Sequence, residues 1–143
     1  MVSYRHGGDR LDSWISTIIR EYAKSPCIII DVGANLGIST MGFRQMGFKN
    51  KIYIFEPNPE IFNKFLIPIK KKYQNIFLKN FALGHKNTTE DLFIPYYENE
   101  AIHYFGSFDK QYIYNSIKMT FPNIISKVKL KKKKIKINKF DDL

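Results

Sequence analysis

The stretch IIIDVGANLGIST, residues 28–40, joins an apolar run to a turn that carries an acid and two glycines. The apolar run is typical of a strand in a parallel sheet, and it predicts a central strand over residues 27–32 with both faces covered. Gly33 and Gly37 lack a Cβ, so the backbone can approach a ligand closely. Asp31 stands near the end of this strand, at the edge where such sheets bind ligands. The stretch therefore predicts a ligand site, with a purely structural turn or a helix cap at Asp31 as the alternatives.

Helix and strand patterns alternate on both sides of this stretch. Helical spacing of apolar residues predicts an N-terminal helix within residues 1–24, capped by Asp9 or Asp12. Further patterns predict a helix at 38–46, a strand at 51–56, a helix from Asn58 to about Tyr73 and a strand at 76–79. This alternation predicts a parallel sheet in the order 3-2-1, with the carboxyl ends of its strands along one edge.

The predicted helix after the second strand has clear start signals. Asn58 is well suited as the N-cap, Pro59 as the first helical residue and Glu60 as a first-turn acid. Pro68 lies inside the pattern and should kink or shorten the helix.

After residue 90 the pattern becomes aromatic and rich in turns. Short antiparallel strands are expected near residues 91–95 and 103–108. Farther on, Val128 and Leu130 have one parity while Ile135 and Ile137 have the other. A single strand cannot place both pairs on one face, so the run Lys131–Lys134 is expected to mark a bulge or a turn.

The net charge of +10 is unevenly distributed, with eight of the 23 Lys and Arg residues in 127–143. This basic end leaves a nucleic-acid or other polyanion partner open as an alternative, although the lysine bias of AT-rich coding sequence is the favoured explanation. The single cysteine, Cys27, excludes an intrachain disulfide. No signal peptide and no membrane-spanning apolar run is recognisable, so a cytoplasmic location is expected.

Three positions at the predicted sheet edge fit the parts of an adenosine-containing ligand. Glu56 ends the second strand, where a carboxylate can accept hydrogen bonds from a ribose diol. Asn80 and Phe81 follow the third strand, where an adenine ring would lie, although Phe81 could equally be part of the core. The turn lacks the G-x-G-x-x-G pattern of dinucleotide sites, and Asp31 would repel phosphates. S-adenosylmethionine, which is cationic and carries no phosphate, fits better than NAD.

These motifs resemble those of the FkbM family of S-adenosylmethionine-dependent methyltransferases. The resemblance rests on the segments IIIDVGANLGIST, IYIFEPNPEIFNKF, NIFLKNFALG and INKFDDL. It implies a Rossmann-like class I methyltransferase fold with helices on both faces of a parallel sheet, and methyl transfer to a hydroxyl of a sugar or secondary metabolite. It further implies a cofactor site. Its methionine end would lie against Asp31, Gly33, Asn35 and Gly37. Glu56 would hold the ribose, and Asn80 and Phe81 would flank the adenine.

The resemblance names no catalytic residue. His6, His85 and His103 show no metal-binding spacing, so no metal site is expected. His103 stands as a candidate general base toward an acceptor hydroxyl, against the simpler reading of an isolated histidine.

The resemblance to the family also predicts how much of a methyltransferase domain the sequence contains. Family members continue with another strand after an L-D-D-L-like segment, whereas this sequence stops at Leu143. We therefore expect one partial methyltransferase domain, with a cofactor-binding core at 27–85 and a small antiparallel β insert with a truncated end at 90–143. Little turnover and self-association through an exposed edge of the first strand are expected in turn. The alternatives are an inactive fragment and a polyanion-binding module that uses the lysines of residues 127–139.

Overall fold

The computed structural model describes residues 8–22 and 24–142, and of residues 8–14 it describes the backbone alone. The predicted caps Asp9 and Asp12 therefore lie outside the described side chains. The helices are α1 (Gly8–Tyr22), α2 (Ile38–Gln45), α3 (Pro59–Ile61), α4 (Ile67–Lys72) and α5 (Lys110–Thr120), with a π-helical segment at Phe62–Leu66. The strands are β1 (Ile29–Val32), β2 (Ile52–Phe55), β3 (Ile76–Lys79), β4 (Ala82–Gly84), β5 (Thr88–Tyr97), β6 (Glu100–Ala101) and β7 (Lys129–Lys139).

The first sheet is parallel and has the order β1-β2-β3. Ile29, Ile52 and Ile76 lie side by side across it, and the carboxyl ends of the strands meet at one edge. The predicted strand order is confirmed. The chain is thus a mixed α/β protein whose parallel sheet presents the expected edge for ligand binding.

Among the described side chains, those of the helices pack on one face of this sheet. Ile15 of α1, Phe43 of α2 and Leu66 of the π-helical segment join the isoleucines of β1, β2 and β3 in one core. On the opposite face Ile30 is 42% exposed and Val32 is 58% exposed. The predictions of helices on both faces and of a central first strand are therefore wrong for the described residues. β1 is the edge strand there, and apolar composition alone does not tell an edge strand from a central one.

The helical run after β2 begins as predicted. Asn58 is the N-cap, its side chain accepts a hydrogen bond from the backbone N–H of Glu60, and Pro59 is the first helical residue. Pro68 does not end the run, which continues through α4. The π-helical segment Phe62–Leu66 precedes it, and this wider turn accommodates the ring of a proline inside a helix.

The second sheet has the order β4-β7-β5-β6 and is larger than the predicted insert. β7 pairs antiparallel with β5 without interruption from Lys129 to Ile137, so the predicted bulge or turn in the lysine run is wrong. The two pairs of residues do face opposite sides of the strand, but each pair packs into its own core. Ile135 and Ile137 pack with Leu92 and Ile94 on one face, whereas Val128 and Leu130 belong to a separate cluster with residues of α5.

The segment between β6 and β7 also differs from its prediction. The strand expected at 103–108 is replaced by a short 3₁₀ helix at His103–Phe105 and a single β-bridge between Ser107 and Phe93. Next comes α5, which the sequence analysis missed. Asp109 caps it by accepting hydrogen bonds from the backbone N–H groups of Gln111 and Tyr112. Ile113 and Ile117 bury its inner face.

Candidate functional site

The turn after β1 holds its shape through backbone contacts with β2. Gly33 has a φ of +73°, and its N–H donates to the carbonyl of Phe55 at 2.8 Å. A Cβ built on Gly33 would meet nothing within 4 Å, so this glycine faces open space. Gly37 has a φ of +74°, but a Cβ there would collide with the side chains of Leu66 and Ile69. Gly33 is thus available to a ligand, whereas Gly37 lets the turn pack against the helical run after β2.

Glu56 joins the turn after β1 to the loop after β2. Its Oε2 accepts the backbone N–H of Asn35 at 2.8 Å, and its Oε1 accepts the backbone N–H of Asn58 at 2.7 Å. The side chain is 5% exposed. Burial raises the pKa of the Glu56 carboxyl, which these two hydrogen bonds and the nearby Asp31 only modify. Glu56 therefore fixes the two loops at the sheet edge relative to each other.

Asp31 lies partly buried beside this loop pair. The hydroxyl of Thr40 in α2 donates to its Oδ2 at 2.9 Å, and burial raises the pKa of the Asp31 carboxyl. Within residues 15–22 and 24–142 no Lys, Arg or His forms an ion pair with Asp31 or Glu56. The sheet edge thus holds two desolvated carboxyl groups without an ion-pair partner among these residues, and the nearby Asp31 raises the pKa of Glu56 further.

A third polar group at this edge is unsatisfied. The side-chain carbonyl oxygen of Asn35 is buried and accepts no hydrogen bond. Asn35 itself has a φ of +49°, a conformation that asparagine tolerates better than most residues. A buried acceptor without a donor is unfavourable, so it is a natural partner for a donor on a ligand.

The predicted adenine-flanking residues lie at the same edge. Asn80 donates its side-chain amide to the backbone carbonyl of Glu56 at 2.8 Å. The ring of Phe81 meets the ring of Phe55 edge-on, with centroids 5.6 Å apart. Asn80 therefore ties the end of β3 to the end of β2.

Most of the predicted site residues thus come together at the sheet edge, while Gly37 is turned toward the helices. The sequence analysis did not assign a site role to Thr40 or Asn58, both of which are buried. Asn58 was recognised only as a helix cap, and its backbone N–H is what holds Glu56. Thr40 follows Asp31 by nine positions, and only the three-dimensional turn shows that the two side chains meet. In the described part of the chain, no group of His, Cys, Asp and Glu side chains is suited to hold a metal ion.

A parallel α/β sheet with a glycine turn and acids at its carboxyl edge defines a class of proteins that bind small ligands there. The comparison with protein families narrows this class. A sequence model of the Methyltransferase FkbM domain matches residues 31–138, which include the whole site. The chain belongs to the FkbM methyltransferase family, as the sequence motifs indicated.

The other comparisons add no relative. No curated protein and no solved structure matches the chain. Among the described residues, no helix is both long enough and apolar enough to cross a membrane.

Proposed function

We propose that this chain binds S-adenosylmethionine at the carboxyl edge of the β1-β2-β3 sheet, as the cofactor-binding part of an enzyme that transfers the methyl group to a hydroxyl oxygen. Membership in a methyltransferase family supports the reaction class. The acceptor, a hydroxyl of a sugar or of a secondary metabolite, follows from the family resemblance and not from the geometry. When bound, S-adenosylmethionine supplies an electrophilic methyl group on a sulfonium centre.

The pair of desolvated carboxyl groups carries this proposal. Burial makes Asp31 and Glu56 costly to ionise and raises the pKa of both carboxyl groups. No cationic side chain of residues 15–22 and 24–142 forms an ion pair with either of them to offset this cost. A ligand with positive charge offsets this cost, whereas the pyrophosphate of a dinucleotide increases it. S-adenosylmethionine carries both a sulfonium and an ammonium group, so its charge suits this edge.

The other groups at the edge suit the remaining parts of the cofactor. Gly33 leaves room for a close approach of the ligand to the backbone. The unpaired side-chain oxygen of Asn35 can accept from the ammonium group. An ionised carboxylate has about four acceptor positions, so Glu56 retains about two for a ribose diol after binding Asn35 and Asn58.

The alternative of a polyanion-binding module is less well supported. Lys132 and Lys133 form ion pairs with Asp91 and Glu60, and Lys131 lies over the ring of Tyr96. Part of the lysine run therefore serves the protein's own packing. Lys139 is paired with Asp141 in the same way, whereas Lys129, Lys134 and Lys136 are exposed, as in many solvated strands.

Calorimetric titration tests the proposal. S-adenosylmethionine should bind the 143-residue chain, and NAD should not bind under the same conditions. Asp31→Asn should weaken binding by roughly 10–100-fold, since a hydrogen bond to a charged group contributes about 1.5–3 kcal/mol. Asp109→Asn is the matched control, because Asn caps a helix as well as Asp and α5 lies outside the site. Tighter binding of NAD than of S-adenosylmethionine would contradict the proposal.

A further inference from the structure

A cavity lies apart from the sheet edge. It has a volume of about 580 Å³ and is bounded by the helical run after β2, the β5–β6 hairpin and the 3₁₀ helix that follows. Its lining residues are Glu60, Asn63, Lys64, Tyr96, Asn99, Glu100, Ala101 and His103. None of them belongs to the predicted cofactor site. Glu60 follows Glu56 by four positions, so their Cα atoms are at most about 15 Å apart and the two sites are neighbours.

The hairpin gives the cavity a defined wall. Glu98 and Asn99 have φ values of +48° and +68°, which is the backbone of a tight two-residue hairpin turn. Tyr96 pairs with Ala101 across this hairpin, and Tyr97 pairs with Glu100. The turn therefore fixes Asn99 and Glu100 opposite the helix that carries Glu60 and Asn63.

Charges of both signs alternate around the cavity. Glu60 is ion-paired with Lys133 and accepts a hydrogen bond from the hydroxyl of Tyr96 at 3.3 Å. The bond from Lys133 keeps the pKa of the Glu60 carboxyl below its usual value. Glu100 and Lys64 add one charge of each sign to the lining, and Lys64 lies over the ring of Phe65 at 5.5 Å from its centroid. Lys131 lies 4.0 Å from the centroid of the Tyr96 ring. No strong excess of one charge is present to select a highly charged ligand.

His103 adds an unsatisfied group to this wall. Its Nδ1 is buried without a hydrogen-bond partner, and its ring meets Phe65 edge-on at 6.5 Å. Burial lowers the pKa of His103, so the ring is neutral at pH 7 and offers one donor and one acceptor. The cavity thus combines amides, carboxylates, a hydroxyl, a neutral imidazole and an aromatic ring.

We propose that this cavity binds a small, uncharged ligand that carries several hydroxyl groups. Such a ligand can donate to Glu60 and Glu100 and accept from the amides of Asn63 and Asn99. A strongly charged ligand would be repelled by a side chain of the same charge on one wall or the other. The proposal stands independently of methyl transfer, because it uses none of the residues of the sheet edge.

Nuclear magnetic resonance titration of the ¹⁵N-labelled 143-residue chain tests this proposal. The probes are the methyl glycosides of glucose, galactose, mannose and xylose, with glucuronate and glucosamine as charged counterparts. At least one neutral glycoside should shift the amide signals of Asn63, Asn99 and Glu100 in a saturable way. The signals of Gly33 and Gly37 report separately on the sheet edge.

Two variants locate the binding. Asn63→Ala and Tyr96→Phe should each weaken it about fivefold, the loss expected for one hydrogen bond. Both changes suit their local structure, because Ala favours a helix and Phe keeps the ring under Lys131. Asn115→Ala, on the exposed surface of α5, is the matched control and should bind like the parent. Three outcomes would overturn the proposal: no saturable shift with any neutral glycoside, unchanged affinity in both cavity variants, or tighter binding of glucuronate or glucosamine than of every neutral glycoside.

Discussion

At the scale of single residues, the two acids of the sheet edge are held in different ways. Glu56 accepts two backbone N–H groups, from Asn35 and from Asn58, so it holds the local structure together. Asp31 accepts only the hydroxyl of Thr40 in the described structure. Because Asp31 contributes little to the fold and is desolvated, its charge is better explained by a ligand than by stability. The two acids should therefore respond in opposite ways to neutralisation.

Replacing Asp31 by Asn should stabilise the protein at neutral pH, and the gain should depend on pH. Burial raises the folded pKa of Asp31 above its ordinary value of 3.8, so its stabilising effect is complete below that value and is lost as the pH rises through the folded pKa. The free-energy difference between Asp31→Asn and the parent should accordingly be small at acidic pH and grow as the pH rises. Urea denaturation at several pH values measures it, and a difference that stays constant over this range would show that the charge of Asp31 is not the cause.

Replacing Glu56 by Gln should instead destabilise the protein, because the loss of a buried backbone hydrogen bond outweighs the relief of a buried charge. The amide keeps one acceptor oxygen but turns an NH₂ group toward a backbone N–H, so either Asn35 or Asn58 loses its bond. One buried donor left unpaired costs about 1–3 kcal/mol of unfolding free energy. Glu90→Gln on the exposed side of β5 is the control and should have little effect. Equal unfolding free energies for parent and Glu56→Gln would mean that Glu56 does not hold the loops together.

At the scale of elements, the turn between β1 and α2 depends on its two glycines for different reasons. Both adopt positive φ, which costs a residue with a Cβ about 1–2 kcal/mol. At Gly37 a Cβ also meets Leu66 Cδ2 at 2.9 Å and collides with Ile69, and both of these side chains are buried. Gly33 is therefore required only for the backbone conformation of the turn, whereas Gly37 is required for both the conformation and the packing.

This separation leads to a prediction for two alanine variants. Gly33→Ala should lower the unfolding free energy by about 1–2 kcal/mol through backbone strain alone. Gly37→Ala should lower it further, by roughly another 1–3 kcal/mol, because the added methyl group overpacks the core beneath the turn. Thermal or urea denaturation of both variants measures the difference. A smaller loss for Gly37→Ala than for Gly33→Ala would contradict the packing described for this turn.

Elements that pack into a single core could be predicted from the sequence, whereas an element whose residues pack into two cores could not. The N-cap Asn58 and the strands of the first sheet were predictable, because each is determined by neighbouring residues and one core. β7 was not, because Leu130 and Ile135 face different clusters on opposite sides of one strand. α5 was missed because only Ile113 and Ile117 mark its buried face, while exposed tyrosines surround them. The role of Asn58 in holding Glu56 needs the three-dimensional loop and has no sequence signal.

At the scale of the whole molecule, two layers of different character share the chain. The first sheet carries the edge with Asp31 and Glu56, and the second sheet carries the hairpin wall of the polar cavity. The helical run after β2 connects them, since it begins beside Glu56 and its Glu60 contacts Tyr96 of β5 and Lys133 of β7. The prediction of strand order succeeded because alternating elements leave few topologies. The covering of the sheet was mispredicted because it depends on contacts that composition does not reveal.

The central claim is that the sheet edge binds S-adenosylmethionine. Its most direct test is a titration of S-adenosylmethionine into the ¹⁵N-labelled chain, followed by the backbone amide signals. The account predicts saturable shifts at Gly33, Asn35 and Asn58, with smaller effects at Asn63 and Asn99 in the neighbouring cavity. Unchanged signals at Gly33, Asn35 and Asn58 up to saturating concentrations would contradict it, as would shifts confined to the cavity residues.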